Sequence, residues 1–162
     1  MEQINQKSNE EAVRENTRKK AYLHSYRPHV RRISRIESEI EELRAMKMGS
    51  AVNNDGMPHG HNQSDLSGYA ANIDELERRL AAEKNQRIAA YDDITERIEH
   101  LENENEKDVL FYRYIKGMEW WEIAEKMKFS ERQIFRIHGK GLAHLSIPEE
   151  NLKDVSECQS NM

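Results

Sequence analysis

Cysteine is almost absent from this chain. Cys158 stands alone in a polar C-terminal stretch, which excludes an intrachain disulfide and any cysteine-built metal site. Proline and glycine are also scarce, three and seven in 162 residues, so little interrupts a helix and sheet is not expected. No apolar run approaches the roughly 20 residues that span a bilayer, and the opening MEQINQKSNEEAV holds no signal-peptide core. The expectation is therefore a soluble, cytoplasmic chain that does not enter a membrane. A nucleophile elbow, a P-loop and a dinucleotide fingerprint are all missing, so the chain is expected to be no enzyme and to carry no cofactor. The residues present are strongly hydrophilic. Mean hydropathy is -0.99, with 36% hydrophobic and 34% charged residues, which argues against one large core and for long solvated helices with a small packed module. The net charge of -5 does not speak against nucleic acid, because an acidic total can conceal a basic face.

Residues 1–104 read as a helical hairpin. Ser8 and Glu11 form a capping-box pattern before a basic run at Arg14, Arg18, Lys19 and Lys20, and Pro28 predicts a kink or restart near Arg27. From Val30 the apolar residues fall at Ile33, Ile36, Ile40 and Leu43, a heptad seam. A flexible connection is expected near 49–64, where MGSAVNNDGMPHGHNQSD destroys the pattern. The seam resumes at Ile73, Leu76 and Leu80 and, after a stutter, continues at Tyr91, Ile94, Ile98 and Leu101. An antiparallel pairing sets Ile40 near Ile73, Ile36 near Leu76 and Ile33 near Leu80, and brings the basic run toward Glu96 and Glu99. Further homo-oligomer formation through exposed seams is compatible with the same pattern.

Composition changes after Asn105, and residues 105–147 read as a separate three-helix module. Val109, Leu110, Tyr112, Tyr114 and Ile115 make a dense apolar helix that Gly117 ends, and a short helix from Trp120 to about Lys126 or Met127 follows. Ser130 as N-cap and Gln133 three residues later complete a capping box, with Phe129 placed to staple onto Ile134. On a helical wheel Ile134, Ile137, Gly141 and Leu145 share one face, with Leu142 at its edge. Arg132, Arg136, Gly139, Lys140 and Ala143 lie on or beside the other. Between Lys126 and Leu145 there are five Lys or Arg and one Glu, in a chain that is otherwise acidic. A short helix, a tight turn and a second helix with a basic outer face form a helix-turn-helix, whose second helix can enter the DNA major groove. So small a unit needs large aromatics for its core. Trp121 is expected under the recognition helix and Trp120 partly exposed.

The stretch DVLFYRYIKGMEWWEIAEKMKFSERQIFRIHGKGLAHL resembles region four of bacterial sigma factors, with Glu122, Ile123, Ala124, Ser130 and Arg136 matching its pattern. With the helical N-terminal part, the arrangement resembles phage-encoded regulators of the ArpU and RinA type. One departure is Lys128, where the turn usually has Gly, so a non-Gly residue must bear any left-handed conformation. The resemblance implies a transcriptional regulator in the cytoplasm of a bacterial host. Its partner is double-stranded DNA: Arg132, Gln133 and Arg136 approach bases while Lys140 and Lys128 approach phosphates. Arg offers a bidentate fork to guanine, whereas Lys is a point charge suited to phosphate. Ser130 and Glu131 complete the DNA-binding set. Glu131 either accepts from a cytosine amino group or complements the helix dipole.

Other features have plainer readings. His59 and His61, with Asp55 and Asp65, lie in a glycine-rich loop that offers no rigid metal geometry, and no metal site is expected. Asp92, Asp93 and Glu96 read as a solvated helix face without a cleft. His138 is expected to pack or cap locally, His144 to favour the helix C-terminus, and residues 148–162 to form a disordered acidic tail. Two rival functions share the same module: a phage assembly protein like a small terminase subunit, and an adaptor that docks on RNA polymerase.

Overall fold

A computed structural model describes the chain at residues 2–50 and 63–148, and the side chains at 9–48 and 67–148. Residues 51–62 of the expected connection lie outside the described residues, as do 149–162 of the expected tail. Asp55, His59, His61 and Cys158, and the side chain of Asp65, are therefore also outside it. Among the described residues all regular structure is helical: α1 Glu2–His24, α2 Tyr26–Ser50, α3 Gln63–Glu99, α4 Glu104–Leu110, a π-helical segment Phe111–Lys116, α5 Trp120–Met127 and α6 Glu131–His144. No described helix is long and apolar enough to cross a membrane.

The described residues fall into two compact units: Pro28–Ala89, and the remainder on either side of it. In the first, Ile36, Ile40 and Leu76 are buried together, with Leu43, Ile73 and Leu80 packed against them. Cross-helix contacts run antiparallel, from Lys47 over the Tyr69 ring, through Arg44–Glu77 at 3.0 Å, to Glu37–Lys84 at 3.0 Å and Arg32–Glu83 at 2.8 Å. Within Pro28–Ala89 this is the expected antiparallel pairing; residues 1–27 and 90–104, expected in the same hairpin, fall in the other unit. The exposed ion pairs set register more than stability, since each contributes on the order of 0–1 kcal/mol, whereas the apolar seam excludes water. Pro28 sits in the first turn of α2, where its missing N–H costs nothing, and the chain restarts at Tyr26 after a turn at Ser25.

The other unit contains α1, the C-terminal end of α3, and α4 to α6. Here α1 departs from expectation at its start, since the helix begins at Glu2 and runs through Ser8. Residues 2–7 contain neither Gly nor Pro, so nothing stops it propagating. The expected charge pairing across α1 and α3 also differs. Tyr22 donates to Asp93 Oδ2 at 2.5 Å, with Arg97 over the Tyr22 ring, and Glu99 pairs with Lys107. Among the described residues no Lys or Arg of α1 pairs with Glu96 or Glu99. Lys19 is buried and directed elsewhere, which determines the site below.

Local chemistry explains the shorter helices. The Asn103 side chain caps α4, accepting from the backbone N–H groups of Asn105 and Glu106 at 2.9 and 3.4 Å. The following segment widens to a π-helix, and its five-residue spacing lets Val109 with Tyr114, and Leu110 with Ile115, all turn inward. Gly117 ends it at φ 71°, a left-handed conformation that strains any residue with a side chain; the Arg27 guanidinium nearby, being the end of a flexible side chain, could move aside for a Cβ.

Candidate nucleic-acid interface

Helix α5 is only eight residues long, and its burial pattern is set by spacing. Trp120, Ile123, Ala124 and Met127 stand at i, i+3, i+4 and i+7 and enter one cluster with Val109 and Ile134. Trp120 is partly exposed, as expected, but it and not Trp121 is the tryptophan that packs against α6. Trp120 packs at 4.9 Å from the rings of both Phe135 and His138 and lies under the Arg113 guanidinium, whereas Trp121 is 58% exposed. Residue 121 is two positions before Ile123, which places it off the shared face.

The turn between α5 and α6 is built by Lys128. It adopts φ 57° and ψ 39°, and a Schellman pattern forms: Phe129 N–H donates to Ala124 O and Lys128 N–H to Glu125 O. Ser130 then caps α6, accepting from Gln133 N–H at 3.3 Å, while Gln133 Oε1 accepts from Ser130 N–H at 2.9 Å. Phe129 packs on the cluster that holds Ile134, as the staple requires.

Two faces of α6 follow from this start. Ile134, His138, Gly141 and Leu142 are buried, so His138 and Leu142 belong to the inner face while Ile137 is only half-buried. Gly141 permits the close crossing of α4, because a Cβ there would meet Leu110 at 3.3 Å. On the outer face Glu131, Arg132, Gln133, Arg136, Gly139 and Lys140 are exposed, and Lys128 and Ser130 are exposed beside them. Among the described residues Lys128, Arg132, Arg136 and Lys140 form no ion pair, so their charge is directed at solvent. Gln133 differs. Its amide oxygen is used by the cap, which leaves its NH₂ for outside contacts and removes the two-point pairing that adenine would need.

The back of α6 is held by polar contacts within a low-dielectric interior. The Tyr114 hydroxyl and His138 Nε2 share a hydrogen bond of 2.9 Å. Burial, and then the charges of Lys20, Arg113 and His24, hold the His138 imidazole down at about 4, so it is neutral near pH 7 and able to accept a hydrogen bond from the phenol. Burial pushes the Tyr114 phenol up to about 12 and keeps it a donor. His144 shares a hydrogen bond of 2.8 Å with the buried Glu106. The contact that sequence reasoning missed is Lys19: its ammonium donates to Leu142 O at 2.8 Å and Ala143 O at 3.3 Å, capping α6 from a residue more than 120 positions away. A lysine beside Tyr22 and Leu23 on the apolar side of α1, close to Tyr26 at the start of α2, is the signal that could have marked it as buried and acceptor-seeking.

A family model described as "Protein of unknown function (DUF1492)" matches residues 66–146, half of the chain, including all of α4 to α6. No curated protein and no solved structure matches the chain.

Proposed function

We propose that this chain, which belongs to the DUF1492 family, is a non-catalytic, sequence-specific DNA-binding regulator of transcription that reads the major groove with α6. The observation that carries the reading is the outer face of α6. Arg132, Arg136 and Lys140 are exposed and unpaired among the described residues, on a helix whose start is fixed by Ser130 and whose inner face is buried. An unpaired guanidinium fork suits guanine, an ammonium suits phosphate, and both are presented by a rigid element. The likeness of this module to sigma-factor region four supports a phage-encoded regulator of the ArpU or RinA type, acting in a bacterial cytoplasm.

The test is binding to selected and scrambled duplexes at several salt concentrations. Arg136→Ala is expected to lose about 1–3 kcal/mol of discrimination at one base pair. Lys140→Ala is expected to weaken all duplexes alike and to lower the salt slope by about one. Unchanged affinity in both variants would refute DNA reading by α6.

One observation favours a second reading, docking on RNA polymerase. Trp121 and Phe135 are 58% and 49% exposed on the same small module, and large exposed aromatics suit a protein partner. Under that reading the purified chain binds polymerase but shows no salt-dependent affinity for naked DNA.

A further inference from the structure

Gly139 has no intramolecular explanation. It lies inside α6 on the exposed face, and a Cβ built there would meet nothing within 4 Å, in contrast to Gly141 two residues on. An exposed glycine in a helix interior is unfavourable relative to alanine, so its presence points to an object outside the chain that comes close to the backbone. Beside it stands α1. Lys19 ties α1 to the C-terminal carbonyls of α6, and the next residue, Lys20, is exposed and forms no ion pair with any described residue. Lys20 is near enough for its charge to act on His138, the neighbour of Gly139.

Spacing identifies the object. With a rise of about 1.5 Å per residue, Gly139 lies roughly 10 Å along α6 from Arg132 and Leu142 about 15 Å, against a major-groove width of about 12 Å. A helix that places Arg132 among base edges therefore brings its C-terminal half, and the α1 segment bound to it, to the phosphate strand at the groove's rim. We propose that this strand of double-stranded DNA passes against the α6 backbone at Gly139 and is held there by Lys20 of α1, a second contact surface contributed by the other end of the chain. The inference rests on the DNA-reading function proposed above.

The experiment uses the full chain, a duplex selected by the wild-type protein and a scrambled duplex. Lys20→Gln keeps the fold, because its side chain is exposed, and lowers the salt slope by about 0.9 on both duplexes. Gly139→Ala raises the melting temperature by a few degrees, since the new methyl meets no atom of the protein, while DNA affinity falls by roughly tenfold as the strand is pushed away. Opposite signs for stability and affinity are the signature, and a purely structural glycine would not produce them. If Arg136→Ala and Lys140→Ala weaken binding but Lys20→Gln and Gly139→Ala do not, this second surface is wrong and the recognition helix stands. If all four bind as the wild type does, or the wild-type chain shows no salt-dependent binding, both proposals fall.

Discussion

Acidification below pH 6.5 should weaken the C-terminal unit through one residue, His138. Its side chain is 7% exposed, accepts from Tyr114, and is enclosed by Trp120 with Lys20, Arg113 and His24 as the nearby positive groups. Burial first, and those charges second, lower its pKa from the ordinary 6.5 to about 4. A histidine that binds protons less readily when folded makes its full contribution above about pH 6.5 and loses it as pH falls toward about 4. Each pKa unit corresponds to about 1.4 kcal/mol, so the whole interval is worth at most about 3 kcal/mol and the step from pH 7 to pH 5 about 2 kcal/mol. The comparison is His138→Gln, which has no charge to gain and can still accept from Tyr114 through its amide oxygen. Urea unfolding of both full chains at pH 7, 6 and 5 isolates the effect. Glu15 and Glu83, whose carboxyls are held below the usual range by Lys19 and by Arg32, lose their contributions only below about 4.5 and in both proteins alike. The wild type should lose about 2 kcal/mol more than the variant between pH 7 and pH 5. Parallel stability curves would show that His138 is hydrated or free to ionise in place, and the account of a neutral buried acceptor would be wrong.

Lys128→Gly should stabilise the chain by about 0.5–1 kcal/mol in thermal melts, the left-handed strain relieved less the entropy that glycine adds to the unfolded state; under the proposed DNA reading it should also lower the salt slope by about one. A lower melting temperature would contradict the left-handed turn seen there. In the hairpin, Ile36→Asp places an unpaired charge in a seam where Ile36 is 6% exposed and should cost about 3 kcal/mol or more, whereas Ile88→Asp, at 58% exposure, should change stability by less than about 0.5 kcal/mol; equal denaturation midpoints for the two would refute the seam.

Features decided by neighbouring residues were readable from the chain. The Ser130–Gln133 cap, the Phe129 staple, the stop at Gly117 and the awkward placement of Lys128 all depend on side chains within four residues, and the structure shows each in place. The heptad seams were also legible, because period alone selects which isoleucines and leucines meet. What escaped depended on partners distant in sequence or on a change of period. A pattern read at 3.6 residues per turn cannot anticipate the π-helical stretch at 111–116, where five-residue spacing is satisfied instead. The choice between Trp120 and Trp121 follows from Ile123 and Ala124, because the face they define includes Trp120 and leaves Trp121 outside it. Charge alone directs Lys19 toward the acidic residues of α3. Its buried ammonium does keep an acidic partner, Glu15 four positions back at 2.9 Å, but its other acceptors are the Leu142 and Ala143 carbonyl groups at the far end of the chain.

The contact between Lys19 and the end of α6 also imposes an order on synthesis. As the chain leaves the ribosome, α1 emerges more than 120 residues before the carbonyls that it caps, so the C-terminal module cannot be completed until nearly the whole polypeptide has been made. Pro28–Ala89 has its own seam and can form meanwhile. Once formed, it roughly halves the flexible length separating Lys19 from Leu142, which reduces the entropy of closing that loop by about 0.6 kcal/mol. Truncated products that stop before Leu142 would carry a hairpin and a basic α1 but no capped α6.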